Sequence, residues 1–361
     1  MTGSEHPIKR RDFLKLISGM LGVGGLSFLA GFNSRPDRQA PVSQADYVDG
    51  ISPLPVPLAP YLQQQVRMAA FLLPVDSQAA ALTVDRYLNI PAAGAFHFQA
   101  IAGSLVMTYS EMTISSLDDR DAALGSFAET EAAFWLPVLV SQRVNGVYVP
   151  QRIAWFLPSL FVDEPYAIIS GREVYGFNKQ WGQFEKPAEI TNPEFNLSVM
   201  GMRTFDRSKT GMAEPLMRVT RIAGESGQTS AVNWTDWKAA SSDLQSTLMQ
   251  QPGTAVEGNL LGLLTRMFIE PTPLIFLKQF RDAADPRKAC ISALIDAPIE
   301  VNNFRQGGFL RDAYYIQVNP LASHPLCESL GLAKDGQIAA AAAWLELDFS
   351  LGLGRELLRL G

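Results

Sequence analysis

Cysteine and histidine are scarce in this chain: 361 residues hold two of the first, Cys290 and Cys327, and three of the second, His6, His97 and His324. No Cys-x-x-Cys occurs and the histidines are scattered, so zinc-type sites lack their ligands, and neither a metal nor a bound cofactor is expected. Positive charge is also short. Thirty Lys and Arg stand against 36 Asp and Glu, and six of those cations lie in the first 40 residues, leaving 24 against 33 in the remainder. A surface of that sign forgoes the phosphate attraction that dominates nucleic-acid affinity, which excludes nucleic acid as a partner. Neither a Gly-x-Ser-x-Gly elbow nor a Gly-x-x-x-x-Gly-Lys-Ser/Thr loop is present. With 47% apolar and 18% charged residues, disordered, collagen-like and coiled-coil architectures are excluded as well.

What is present begins with Lys9-Arg10-Arg11-Asp12-Phe13-Leu14-Lys15, followed by an apolar run from Leu16 to Phe32 diluted by five glycines. Residues 1–40 resemble a twin-arginine export signal: paired arginines precede Phe-Leu-Lys, and the glycines keep the run less apolar than a membrane span. The export machinery is then a partner and the protein is periplasmic or secreted. No clean small-x-small cleavage site follows, and an uncleaved signal would leave the protein anchored. Gly22-Val23-Gly24-Gly25 has no preceding strand and is not a phosphate loop. Residues 41–60, with Pro53, Pro55, Pro57 and Pro60, read as an extended tether. In an oxidising compartment, pairing of Cys290 with Cys327 stays open.

Residues 61–361 read as a single domain. Short apolar or alternating runs at Met68–Leu73, Phe96–Ile101, Leu105–Ile114, Phe134–Val140, Arg152–Leu157 and Tyr166–Ser170 are expected as strands. Helices are expected over Ser77–Tyr87 and around Arg120–Phe127. Residues 206–270 read as a helix-bearing insertion, with helices from Ala239 to Met249 and from Leu260 to Ile269. Strands resume at Pro273–Phe280, Ala289–Ile295 and Ala313–Val318, and the Ala-rich stretch Gln337–Leu347 predicts a C-terminal helix. The fold class is α+β, with a mainly antiparallel, closed or nearly closed sheet.

Chemistry concentrates in Glu164-Pro165, Gly171-Arg172-Glu173 and the turn Tyr175-Gly176-Phe177-Asn178-Lys179-Gln180-Trp181. A lone lysine between aromatics matters because desolvation penalises its ammonium form and leaves an amine able to attack a carbonyl. The plainer alternative is a surface lysine whose stem covers a ring.

This pattern resembles the acetoacetate decarboxylase family, in which an acid-Pro segment leads into Gly-Arg-Glu and then Pro-Lys-Lys. The resemblance runs over about residues 61–205 and resumes at Phe276-Leu277-Lys278-Gln279. It implies a cone-like β-barrel with flanking helices, a homo-oligomer, and Lys179 as Schiff-base lysine. Glu131, six residues before Pro137-Val138, becomes the acid/base, with Glu129 projecting to the same face as its alternative. A further family glutamate falls at Ser110 or Glu111, of which Glu111 is preferred, and the family's arginine falls at Arg67. Phe177, Trp155 and Phe134 are the nearest apolar wall candidates. Arg172 and Glu173 are assigned to structural support of the turn; Trp234 and Trp237 could cap the pocket from the insertion, though tryptophans three apart are more often two core contacts on one helix face, and no role is assigned to them. Asn178 and Gln180 depart from the family's Pro and second Lys. In that family the lysine is activated by a desolvated pocket or an adjacent cation; here burial, with whatever arginine faces the lysine, has to do that work.

The implied function is decarboxylation of a small, acetoacetate-like β-keto acid: the Lys179 imine accepts the electron pair left when CO2 departs. Two other readings stand beside it. One is a lysine-imine aldolase or dehydratase acting on a pyruvate-like substrate. The other is a non-catalytic exported barrel that binds a lipid or aromatic ligand.

Overall fold

The computed structural model describes residues 47–48, 58–101, 103–226, 233–250 and 271–359. The export-signal reading of residues 1–40, most of the tether and the helix expected at Leu260–Ile269 lie outside the described residues. Contacts divide the chain into Met1–Pro53 and Leu54–Gly361, and among the described residues every strand and helix belongs to the second unit.

Strand dominates. In chain order come β1 (Tyr61–Pro74), α1 (Ser77–Val84), β2 (Phe96–Ala100), β3 (Ser104–Ser116), β4 (Phe127–Val144), β5 (Val147–Val162) and α2 (Pro165–Val174). Then follow β6 (Lys179–Glu185), β7 (Phe195–Gly201), β8 (Met212–Ser226), β9 (Asn233–Trp234) and α3 (Trp237–Met249). The chain continues through β10 (Thr272–Arg281), β11 (Ala289–Phe309), β12 (Asp312–Val318), α4 (Leu326–Leu330), β13 (Gln337–Ile338), β14 (Ala341–Leu351) and β15 (Arg355–Arg359).

Pairing runs β5–β10–β11–β14–β1–β3–β4, and β4 pairs β5 in turn, so the circuit of seven strands returns to its start. All its contacts are antiparallel except β10 on β5, which is parallel. A second arm, β6–β7–β8–β12–β13, leaves the circuit at β5. One edge of β5 carries β4 along its length. The other carries β10 at Trp155 and Phe156, then β6 at Leu160–Val162. Pro158, which has no N–H to offer a ladder, lies between the two. The sheet forks there.

Both faces are covered along much of β3, β4 and β5, while β11 is exposed over much of residues 300–306. Inward-facing Val66, Leu160, Phe276 and Leu345 belong to one buried cluster; Phe71, Tyr109, Phe134 and Phe161 on the opposite face pack with Leu197 and Tyr314 of the arm. Strands buried on both faces lose clean alternation, which is why they read as apolar runs.

Four sequence expectations change. Tyr166–Ser170 is helical, within α2. Glu164 caps it by accepting from the Tyr166 N–H at 3.1 Å, and Pro165 takes the first turn, where its missing donor costs nothing. Around Arg120 only one turn, Asp119–Ala122, is helical, because Phe127 already opens β4. The Ala-rich Gln337–Leu347 is strand, not helix: Ala342 and Ala343 pair with Phe71 and Ala70, and sheet burial overrides alanine's helix preference. Within 206–270, α3 is where a helix was expected, but Met212–Ser226 is β8, paired to β7 and β12. Cys290 is exposed, Cys327 is buried, and neither is in a disulfide.

Candidate active site

Lys179 is the first residue of β6 and stands beside the fork, opposite Leu160 of β5. Three local features put it there. Gly171, in α2, offers its carbonyl to the N–H groups of Tyr175, Gly176 and Phe177, which ends the helix in a tight turn. A Cβ on Gly171 would sit 3.0 Å from Lys179 Cδ and 3.1 Å from Cε, so the lysine stem lies against the bare helix backbone. Gly176 turns the chain at φ +86°, where a Cβ would come within 2.4 Å of the Lys278 Cα. Arg172 Nη1 donates to the Lys179 carbonyl at 3.3 Å. Glu173 acts at longer range on Lys278, whose ammonium donates to the Val174 carbonyl at 3.2 Å.

The two departures at 178 and 180 have structural partners. Asn178 Nδ2 donates to the Pro158 carbonyl at 2.8 Å, tying the turn to the fork. Strand alternation sends Gln180 to the face opposite Lys179, where its Oε1 lies 2.7 Å from His324 Nε2. A lysine at 180 would have started from that same outer face.

Lys179 Nζ donates to Glu129 Oε1 at 3.0 Å, and Oε2 is at 3.4 Å. Lys179 is 7% exposed and Glu129 2%. Glu131 follows two residues later on β4, so its side chain shares that face, and both glutamates line a cavity of ≈50 Å³ with Lys179, Tyr61, Gln63 and Phe177. The Glu131 carboxyl is pushed up to about 8, first by burial and then by the Glu129 charge, against the pull of Lys179. Glu131 is therefore held toward its acid form beside the Lys179–Glu129 ion pair. Burial, with Glu129's charge adding to it, also raises the Tyr61 hydroxyl above its ordinary value. Phe177 walls the site: Lys179 Nζ is 5.4 Å from its ring centroid, and Phe276 packs against the ring at 4.1 Å with the planes tilted by 50°.

Other expected residues lie elsewhere. Glu111 accepts from Arg67 Nη2 and from the Tyr109 hydroxyl, each at 2.6 Å, on the face of β3 away from Lys179. Neither Glu111 nor Arg67 lines the lysine cavity. One residue of strand register separates the two faces: Ser110 is the inward residue, opposite Glu131 in the β3–β4 ladder. Its buried hydroxyl has no hydrogen-bond partner, and the same holds for Gln63 Oε1. Buried polar atoms left open in this way are exceptions that call for a partner; the sequence pattern sets Ser110 second to Glu111 and gives no signal for Gln63. Trp155 lines a larger neighbouring cavity, edge-on to Trp135 at 6.1 Å, and Phe134 is in the outer cluster. Trp237 also lines the larger cavity, while Trp234 Nε1 donates to Asp243 at 2.8 Å and anchors α3. No three His, Cys, Asp or Glu side chains gather as metal ligands would among the described residues.

No family model and no curated protein matches this chain. Solved structures do, and they define its fold as that of acetoacetate decarboxylase-like enzymes. Acetoacetate decarboxylase from Legionella pneumophila superposes with a TM-score of 0.53 at 13% identity, covering 88% of this chain and 98% of that one. A further acetoacetate decarboxylase gives 0.50 at 15% identity, over 84% and 92%. The enduracididine biosynthesis enzyme MppR, with HEPES buffer bound, gives 0.51 at 14%, over 88% and 97%. The likeness is one of fold.

Proposed function

We propose that this protein is a lysine-imine enzyme that decarboxylates a β-keto acid at Lys179. The observation that carries the reading is the buried Lys179–Glu129 pair with Glu131, its carboxyl pushed up by burial and by the Glu129 charge, lining the same cavity. Glu129 takes a proton from the Lys179 ammonium, and the freed amine adds to the keto carbon. Glu131 gives its proton to the carbinolamine hydroxyl, which leaves as water and forms the iminium. The C–C bond to the carboxylate then breaks. Its electron pair moves into the iminium to give an enamine, and CO2 departs. Protonation of the enamine carbon and hydrolysis of the imine return the ketone and the free amine.

A second reading, aldol condensation or dehydration of a pyruvate-like substrate, has one observation in its favour: MppR has been solved with the condensation product of pyruvate and imidazole 4-carboxaldehyde, at a TM-score of 0.51. Such a reaction keeps the substrate carboxylate and needs a cation to hold it. Among the described lining residues the only cation is Lys179, which the imine would consume, and two carboxyl groups face it. That surrounding disfavours a retained carboxylate and favours one that leaves as neutral CO2. Borohydride reduction with acetoacetate present, followed by peptide mass mapping, tests the reading. A stable adduct on Lys179 with CO2 release supports decarboxylation, and an adduct with pyruvate but no CO2 from any β-keto acid supports the second reading. No adduct with either refutes both and leaves a ligand-binding protein. We further propose that residues 1–40 direct export by the twin-arginine route.

A further inference from the structure

The lysine cavity does not stand alone. Trp135, Ile299 and Phe349 wall both it and a second cavity of ≈290 Å³. The same interior face of the circuit passes from one to the other. On β1, Gln63 lines the first space and Met68, Ala70 and Leu72 the second; on β3, Met112 lines the first and Val106 and Thr108 the second. Trp135 stands at the junction on β4, and its Nε1 donates to Thr108 Oγ1 at 2.9 Å, which holds the ring as a side wall. Helix α3 covers the far space with Trp237, Leu244 and Leu248. The lining is otherwise apolar except for three threonines and the exposed Glu300, and it contains no cation among the described residues. An acid group gains nothing there.

The sizes divide the labour. At about 30 Å³ for each water-sized group, the ≈50 Å³ beside Lys179 takes little more than the reacting carbons, whereas ≈290 Å³ takes a chain of about ten non-hydrogen atoms. Acetoacetate would leave the second space unfilled. We propose that the substrate is a β-keto acid bearing a long apolar substituent, a medium-chain 3-oxo acid, with its keto carbon at Lys179 and its chain past Trp135 beneath α3. This rests on the lysine-imine reading and narrows its substrate.

The test is CO2 release and borohydride trapping with straight-chain 3-oxo acids of four, six, eight and ten carbons. kcat/KM should rise about fourfold for each methylene buried until the cavity is full. Leu244→Trp and Ala70→Leu fill the cavity from the helix and from the sheet, and each should collapse the ratio of ten-carbon to four-carbon kcat/KM toward unity. The helix variant leaves the strands intact should the other fail to fold. A trapped Lys179 adduct and turnover of acetoacetate, with a flat or falling profile along the series, would overturn the chain-length proposal while leaving the lysine chemistry standing. Absence of an adduct with all four acids overturns both.

Discussion

Glu131→Gln should make the protein more stable and far less active, and the size of the gain can be worked from the site. A carboxyl whose folded value lies near 8 rather than 4.5 takes up a proton on folding when the pH is between those values. Raised acids reverse the usual carboxylate pattern: folding is unopposed below about 4.5, and stability is lost as pH rises from there to about 8. Each pH unit in that window is worth about 1.4 kcal/mol, so at pH 7 the wild type forgoes at most about 3–4 kcal/mol that an uncharged amide would not. Urea midpoints of the wild type and Glu131→Gln at pH 5, 6, 7 and 8 measure this. The variant should pull ahead as the pH rises and level off above 8, while turnover drops about 10²–10⁴-fold for loss of a general acid. Parallel stability profiles across that range would refute both the protonated state of Glu131 and the part it is given in dehydrating the carbinolamine.

Gly171→Ala places a methyl 3.0 Å from Lys179 Cδ; the helix should tolerate it, but displacement of the amine should lower kcat/KM about 10²-fold, and an unchanged rate would contradict the stem placement. Arg67→Ala should cost under about 1 kcal/mol, as exposed ion pairs do, while Glu111→Ala should cost about 1–3 kcal/mol by stranding the buried Tyr109 hydroxyl; turnover by both should stay within about twofold of wild type, as expected for residues outside the lysine cavity, and a large rate loss would restore them to the site. Asn178→Ala leaves the Pro158 carbonyl at the fork without its donor and should lower stability by about 1–3 kcal/mol, read as a shift in urea midpoint. Replacing Arg10-Arg11 by Lys-Lys in a fusion to an export reporter should block translocation, and continued export would sink the twin-arginine reading.

The lysine was legible because its motif is local. Gly171, Arg172 and Lys179 lie within nine residues, and each has the contact its type suggests. The pair of glutamates was legible for the same reason, since positions 129 and 131 share a face whatever the strand pairs with. Which of the two meets the amine depends on depth in the sheet, and there Glu129, the alternative, makes the contact. On β3 the face itself could not be read. Thr108, Ser110 and Met112 alternate with Met107, Tyr109 and Glu111, both sets are largely buried, and a polarity pattern cannot choose between two buried faces. Tyr166–Ser170 misled in another way: its apolar run is strand-like, and only the cap at Glu164 with Pro165 marks a helix start. Ala341–Ala343 misled because small residues favour a helix in isolation and also fit where a strand borders a cavity.

Because β5 belongs to the circuit and to the arm alike, drift in this chain is unevenly constrained. The strand pairing of the arm reaches Lys179 only through β6, although its inner face packs on the circuit, whereas a change at Leu160 bears on Lys179 directly. The outward side of the arm is accordingly open to remodelling by selection, for new surfaces or new neighbours, while its inner side is held as core. A designer seeking to graft further segments onto this scaffold would begin there.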